Sequence, residues 1–399
     1  MSKQTDRILK ALDQFNIETP SWGYGDTGTR FGKFFQDAAA ITIDDKLSDA
    51  GIVHRFTGCC PSVAVHVLWD FPPKCDINAV LRTARKHGVR IGAINPNVFQ
   101  AQDYKFGSLG NPDPAVRRKA LRHILDSVEL MHATKSRFLS LWFADGSCYP
   151  GQSDIVQRKE WFAEGLRKSH DKLRGNDIML VEYKPFEPAF YHTDIGDWGM
   201  AYILSRQSGK RARVLVDTGH HYQSQNIEQI VAWLLDENML GGFHFNDRRY
   251  ADDDLTLGCI DPYQVFRIFH EIQLAGWKGK NIRDIAYMVD QCHNLKGKVE
   301  ETIQTAMNAQ ELWAKAALVD YDKLGRHQMR CELIDAENCL RAAFSTDVRP
   351  AIELWRRKRG LHPDPLKAFR ASGYERKAAK DRAARRRAAG IVQGKSFAF

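Results

Sequence analysis

Carboxylates and imidazoles recur in this chain at the ends of apolar runs. Glu182 and Lys184 close DIMLVEYK (177–184), Asp217 and His220 lie at the end of ARVLVDTG (212–219), His244 and Asp247 sit in GGFHFND (241–247), and Asp290 ends DIAYMVDQ (284–291). Carboxylates supply the hard oxygen donors that Mg-type or Mn-type ions take, and histidine adds preference for the transition series. The candidates, Glu182, Asp217, His220, His244, Asp252, Asp254 and Asp290, exceed what one ion ordinarily takes from a protein. Two ions sharing one carboxylate would use them all, with Asp217 and His220 serving one ion each. In an irregular loop, alternate residues project to one side, so Asp252 and Asp254 could hold the same ion while Asp253 points outward. Simpler readings exist for each: a satisfied core histidine at 244, a solvated turn at 252–254, a Glu182–Lys184 ion pair. Together they would require four consecutive strands to place costly charge at the same end for no purpose.

His66 and Trp69, beside Asp70, end another such run, VAVHVLWD (63–70). A histidine there could open a sugar ring by proton transfer, and tryptophan offers the flat apolar wall on which sugars stack; Trp142 is read the same way. His221 follows His220 and is expected to be structural. GYGDTG (23–28) fits the glycine spacing of a dinucleotide loop, but no strong strand precedes it and no helical pattern follows, so dinucleotide binding is set aside.

Short β-branched and apolar runs must position these residues. Besides those named, VRIGAINPN (89–97) and RFLSLWF (137–143) read as strands, giving seven, with ETPSWGYG (18–25) a weak eighth. Between them, 76–87, 112–133, 154–174, 195–208, 226–238 and 261–275 carry helical spacing. The alternation predicts an α/β chain, and polar residues at the ends of several strands favour a closed (β/α)8 TIM barrel over an open doubly wound sheet, which concentrates its site at one switch point. The expected organisation is an N-terminal helical segment (1–17), a barrel (18–298), a C-terminal helical extension (299–374) and a basic, flexible tail (375–399).

The chain has 399 residues and a net charge of +9, but the stretch 375–395 alone carries eight basic and two acidic residues, so the remainder is only mildly basic. That run reads as a solvated end rather than a nucleic-acid surface. No apolar window is long enough for a membrane span, and the start lacks a secretory signal, which predicts a cytoplasmic protein. Eight scattered cysteines without a CxxC pair predict buried, reduced thiols.

The motifs SWGYGDTGTRF, YKFGSLGNPD, DGSCYPGQS, EYKPFEPAFY, VDTGHH, GGFHFND, DDDL, IDPY, MVDQCHN and FRASGY, in order from about 20 to 375, resemble those of the bacterial L-rhamnose isomerase family. The resemblance implies a xylose-isomerase-like barrel, a homotetramer, and an aldose–ketose isomerase with two divalent ions, Mn2+ foremost and Mg2+ or Co2+ as alternatives. It implies Glu182, Asp217, His244 and Asp290 around a substrate-holding ion, and His220, Asp252 and Asp254 with bridging Asp217 around a catalytic one. It further implies His66 as the ring-opening histidine, Trp69 and Trp142 as sugar-facing aromatics and Lys184 beside the C1 oxygen, with Asp254 and His220 also near the reacting groups. Cys292 stands where the family carries serine, and Pro185-Phe186 departs from its pattern, which bears on which sugar is preferred. A related isomerase of another deoxy or rare aldose, or a metal-dependent hydrolase on the same barrel, is the competing expectation; a phosphoesterase would want a basic cradle that only Lys184 supplies.

Overall fold

The computed structural model describes residues 2–26, 35–186, 192–292 and 295–390, and the backbone alone of 28–29 and 32–33. Parts of three expected motifs (SWGYGDTGTRF, EYKPFEPAFY and MVDQCHN) and the chain beyond 390 lie outside the described residues.

Eight parallel strands form the sheet: β1 Thr19–Pro20, β2 Ser62–His66, β3 Arg90–Asn95, β4 Phe138–Leu141, β5 Ile178–Glu182, β6 Ala212–Asp217, β7 Leu240–Phe245 and β8 Ala286–Val289. Each pairs with the next in chain order. The ring closes where the Glu18 amide donates to the Tyr287 carbonyl (2.8 Å) and the Val289 amide donates to the Glu18 carbonyl (2.9 Å). The weak eighth strand expected near 18–25 is therefore β1. It is short because Pro20 has no N–H to continue the ladder. A buried carboxylate reinforces it: Glu18 Oε1 accepts the Ala93 amide at 2.7 Å, and a Cβ at Gly92 would lie 1.7 Å from Glu18 Oε2, so only glycine fits there.

Helices α3 (Ile77–Lys86), α4 (Pro114–Thr134), α5 (Ile155–His170), α6 (Trp198–Ser208), α7 (Ile227–Asp236) and α8 (Pro262–Trp277) connect the strands, preceded by α1 (Lys3–Asp13) and α2 (Ile43–Thr57). Their start points are chemically set: Asp76, Asp113, Asp154, Asp197, Asn226 and Asp261 each accept an orphan amide of the first turn. Beyond β8 the chain is helical, α9 (Lys298–Ala316) through α10 (Tyr321–Met329), α11 (Leu333–Ser345), α12 (Arg349–Lys358), α13 (Pro365–Ser372) and α14 (Tyr374–Ala388). Trp313 of α9 stacks on Phe15, ring centroids 5.0 Å apart, which packs the extension against the barrel's N-terminal side.

Two expectations need correction. The basic stretch after 374 is not a flexible tail in its described part: it is α14, and Arg382 and Arg386 are 3% and 8% exposed. Asp49 and Asp26 receive the charge of these two arginines, while Arg376, Lys377, Lys380 and Arg387 face solvent. The cysteines are all free, yet only Cys59 and Cys60 are fully buried, while Cys148, Cys259 and Cys331 are exposed. None of the described helices is long and apolar enough to cross a membrane.

Candidate metal and substrate site at the barrel mouth

Parallel strands deliver their last residues to one end of a barrel. Glu182 ends β5, Asp217 ends β6 with Cα register to His244 of β7, and Asp290 immediately follows β8. Ligand-type atoms of Glu182, Asp217, His244 and Asp290 all lie within 4.8 Å of one another, and so do those of Asp217, His220 and Asp252. Asp217 belongs to both groups. His244 Nδ1 stands 3.3 Å from Glu182 Oε2, 3.8 Å from Asp290 Oδ2 and 3.9 Å from Asp217 Oδ2. His220 Nε2 is 3.3 Å from Asp252 Oδ2 and 3.9 Å from Asp217 Oδ2, while its Nδ1 faces the Tyr183 carbonyl at 2.9 Å.

The polar atoms of this site fit a cation. Both ring nitrogens of His244, Asp217 Oδ2 and Asp252 Oδ1 are buried without a hydrogen bond, an arrangement proteins avoid unless something else satisfies the atoms. Burial pushes the Asp217 carboxyl up to about 7, with Asp252, Glu182 and Asp290 adding to it against the opposing pull of His220. Burial, then Asp252, Asp290 and Asp217, push Asp254 well above its usual range against the pull of Lys184. Burial disfavours protonation of the two imidazoles, but Asp217 and Asp252 outweigh it at His220, raising it to about 10, and Glu182 and Asp290 do so at His244, raising it to about 9. Without an ion the site thus relies on imidazolium to offset its carboxylates. A divalent cation does the same and leaves the imidazoles neutral, the form that binds metals.

Asp254 is in neither group of atoms, and its backbone is left-handed, φ 48°. Asp253, expected to point outward, is in neither group and accepts the Arg249 and Tyr250 amides of the exposed loop at 2.6 and 2.8 Å. Lys184 Nζ donates to Asp252 Oδ2 at 2.6 Å and lies 5.8 Å from the Trp142 ring centroid.

An aromatic wall faces these carboxylates. His66 packs between Trp22 (centroids 4.8 Å) and Trp69 (4.1 Å), and Phe99 reaches His66 (5.8 Å), Trp69 (6.1 Å) and Trp142 (5.0 Å). Burial, then the Lys46 and His244 charges, hold His66 down at about 3, so its ring is neutral near pH 7, and its Nδ1 makes no hydrogen bond. The Trp142 indole N–H is likewise buried without a partner. Trp69 is 40% exposed and donates to Gln100 Oε1 at 2.8 Å. Cys292 packs at the edge of the small apolar cluster holding Trp22 and Met288; burial, then Asp254 and Asp290, raise its thiol well above the usual range.

Sequence reasoning did not find Trp22, Phe99 or Asn246. The Trp22 indole donates to Asp290 Oδ1 at 2.7 Å, and Asn246 Nδ2 donates to Asp217 Oδ1 at 3.0 Å. Trp22 and Asn246 lie inside quoted motifs and Phe99 two residues past a quoted run, but no local pattern points any of them at a partner from another strand. Asp70 and Asp247, noted at strand ends, turn away: Asp247 accepts the Ile260 and Asp261 amides, and Asp70 accepts Lys46, Ser21 and the His66 amide. His221 meets the Tyr183 hydroxyl at 2.6 Å inside the core, in keeping with a structural histidine.

Residues 63–303 match the family described as Xylose isomerase-like TIM barrel. Among curated proteins, the chain is 38% identical over 384 residues to a probable sugar isomerase of Mesorhizobium japonicum and, at the same identity and length, to one of Rhizobium meliloti; each match covers 95% of this chain and 89% of the relative. Among solved structures it is similar to a D-allulose 3-epimerase from Methylomonas sp. (TM-score 0.55, 12% identity, covering 73% of this chain and 95% of that one). It is also similar to an L-ribulose 3-epimerase (TM-score 0.53, 12% identity, covering 80% and 98%). At these identities the structures share the fold alone.

Proposed function

Because the chain belongs to the Xylose isomerase-like TIM barrel family, we propose that it is a metal-dependent aldose–ketose isomerase, with L-rhamnose and L-rhamnulose as its sugar pair. The sugar-isomerase class is supported by the two relatives that share 38% identity along nearly the whole chain; the choice of L-rhamnose rests on the ordered motifs in the sequence. The single observation that carries the chemistry is the pair of ligand groups sharing Asp217 beside a wall of aromatic rings. Glu182, Asp217, His244 and Asp290 would hold one ion, and Asp217, His220 and Asp252, with Asp254 adjoining, the other. Such ions would supply electrostatic stabilisation of negative charge on sugar oxygens.

The remaining work falls to this chain's side chains. Aldose-to-ketose conversion opens the ring, removes the O2 proton, moves hydrogen from C2 to C1 and returns a proton to O1. His66, neutral and with Nδ1 unengaged, takes the anomeric hydroxyl proton and returns it to the ring oxygen. Lys184 offers a cation toward the C1 oxygen. Trp69, Phe99 and Trp142 stack on the apolar face of the sugar and exclude water. Cys292, a neutral thiol beside Asp290, shapes the end that separates one deoxy sugar from another.

The test is ketose formation from a panel of aldohexoses and 6-deoxy aldoses, using metal-stripped protein with and without Mn2+. L-Rhamnose is expected to lead and Mn2+ to restore the rate. Activity surviving chelation removes the metal role; a different leading sugar keeps the reaction and moves attention to Cys292. Homotetrameric assembly belongs to the same reading and is checked by sedimentation.

A further inference from the structure

Two arginines of the C-terminal helix are spent inside the molecule. Arg382 Nη1 and Nη2 donate to both carboxylate oxygens of Asp49, each at 2.8 Å, and Asp49 is fully buried on α2. Arg386 Nη2 donates to Asp26 Oδ2 and the Ala39 carbonyl, both at 2.8 Å, and its Nη1 to the Asp37 carbonyl at 2.9 Å. The segment so held is not remote from the site. Ala40 donates to the Tyr24 carbonyl at 2.9 Å, two residues after Trp22, whose indole reaches Asp290. On α2, Lys46 donates to Asp70 Oδ1 at 2.6 Å, and Asp70 Oδ2 accepts both the Ser21 hydroxyl (2.5 Å) and the His66 amide (2.9 Å). Two hydrogen-bonded routes thus run from α14 to the wall formed by Trp22 and His66.

We propose that Arg382 and Arg386 are positioning residues: α14 clamps α2 and residues 37–40 against the barrel mouth, and Lys46 with Asp70 and Ser21 passes that hold to His66 and Trp22. Two arginines of the basic run in this helix therefore serve the reaction. The idea rests on the isomerase reading for its kinetic consequence but not for its structural one. Buried bidentate arginine–carboxylate pairs fix geometry more tightly than exposed ones, and displacing a reacting group by about 1 Å can cost roughly a hundredfold in rate.

The experiment uses the full chain carrying Arg386→Met, with Arg386→Lys beside it, and reads kcat, KM, bound metal and hydrogen exchange. Arg386→Met is expected to lower kcat by roughly tenfold or more with a smaller change in KM. Bound metal is retained, exchange at residues 22–25 and 37–40 quickens, and the amides of β7 keep their protection. Arg386→Lys, which keeps the charge, recovers part of kcat. An unchanged kcat in Arg386→Met, or unchanged exchange at 22–25, overturns the proposal. If Arg386→Met also exposes β7, Lys46→Met, which leaves α14 and its hold on 37–40 intact, takes its place: kcat falls and exchange quickens at 22–25 alone, and an unchanged kcat or unchanged exchange at 22–25 overturns the proposal. Should the unaltered protein convert no sugar, the isomerase reading fails, while exchange at 22–25 still decides whether α14 holds the wall.

Discussion

Replacing Trp22 by phenylalanine isolates one contact that joins the first strand of the barrel to the last. The indole N–H donates to Asp290 Oδ1 at 2.7 Å, and phenylalanine keeps an aromatic edge against His66 but has no donor. A hydrogen bond to a charged group contributes about 1.5–3 kcal/mol. Asp290 is 24% exposed, so water replaces part of the loss and the lower half of that range applies. Since about 1.4 kcal/mol is a factor of ten in affinity, the ion held by Asp290 should bind roughly ten- to fortyfold more weakly. That agrees with the 10- to 100-fold typical of losing a partner that orients a metal ligand. Metal-stripped protein and Trp22→Phe would be titrated with Mn2+ and free ion followed by electron paramagnetic resonance. One site should weaken by that amount, while the site around His220 and Asp252 changes little. Equal affinities at both sites, with the variant folded, would refute the assignment of Asp290 as a ligand oriented by Trp22.

His66→Asn should leave bound metal unchanged and slow turnover of the cyclic sugar by roughly a hundredfold or more; normal turnover removes His66 from ring opening. Asp254→Ala should weaken the ion near His220 and Asp252 more than the other, lowering stoichiometry at limiting Mn2+; an unchanged stoichiometry leaves Asp254 a loop residue. Acid stability should depend on His270, whose imidazole is held down to about 4 by burial, then by Lys278. The unfolded chain takes up a proton near pH 6.5 and the folded one does not, so stability is present above pH 6.5 and lost as pH falls through 4, by about 3 kcal/mol in all. Urea midpoints between pH 7 and 4 should therefore slope less steeply in His270→Phe, and an identical slope would show that the buried imidazole does not carry the effect.

The strands and helices were legible because their signals are local. Apolar runs ended where the barrel ends, and the helices start within three residues of their expected positions because each has an Asp or Asn whose side chain caps the first turn. The expected strands ran two or more residues past the observed C-termini of β5, β6 and β8, since Tyr183, Thr218 and Gln291 continue the pattern after the ladder stops. The basic run after 374 was misread for the opposite reason. Charge density counts as solvated when read along the chain, whereas Asp49, more than three hundred residues earlier, supplies the buried partner.

The sequence by itself determined the barrel class and which residues end its strands with carboxylates and imidazoles, because both follow from periodicity within a few residues. Only the tertiary structure decided that Asp254 stands in neither ligand group, that Trp22 and Asp290 meet across 268 positions, and that Arg382 is buried. The physical reason is closure: hydrogen bonding of β1 to β8 and packing of α14 on α2 bring side chains together at distances that spacing along the chain does not encode.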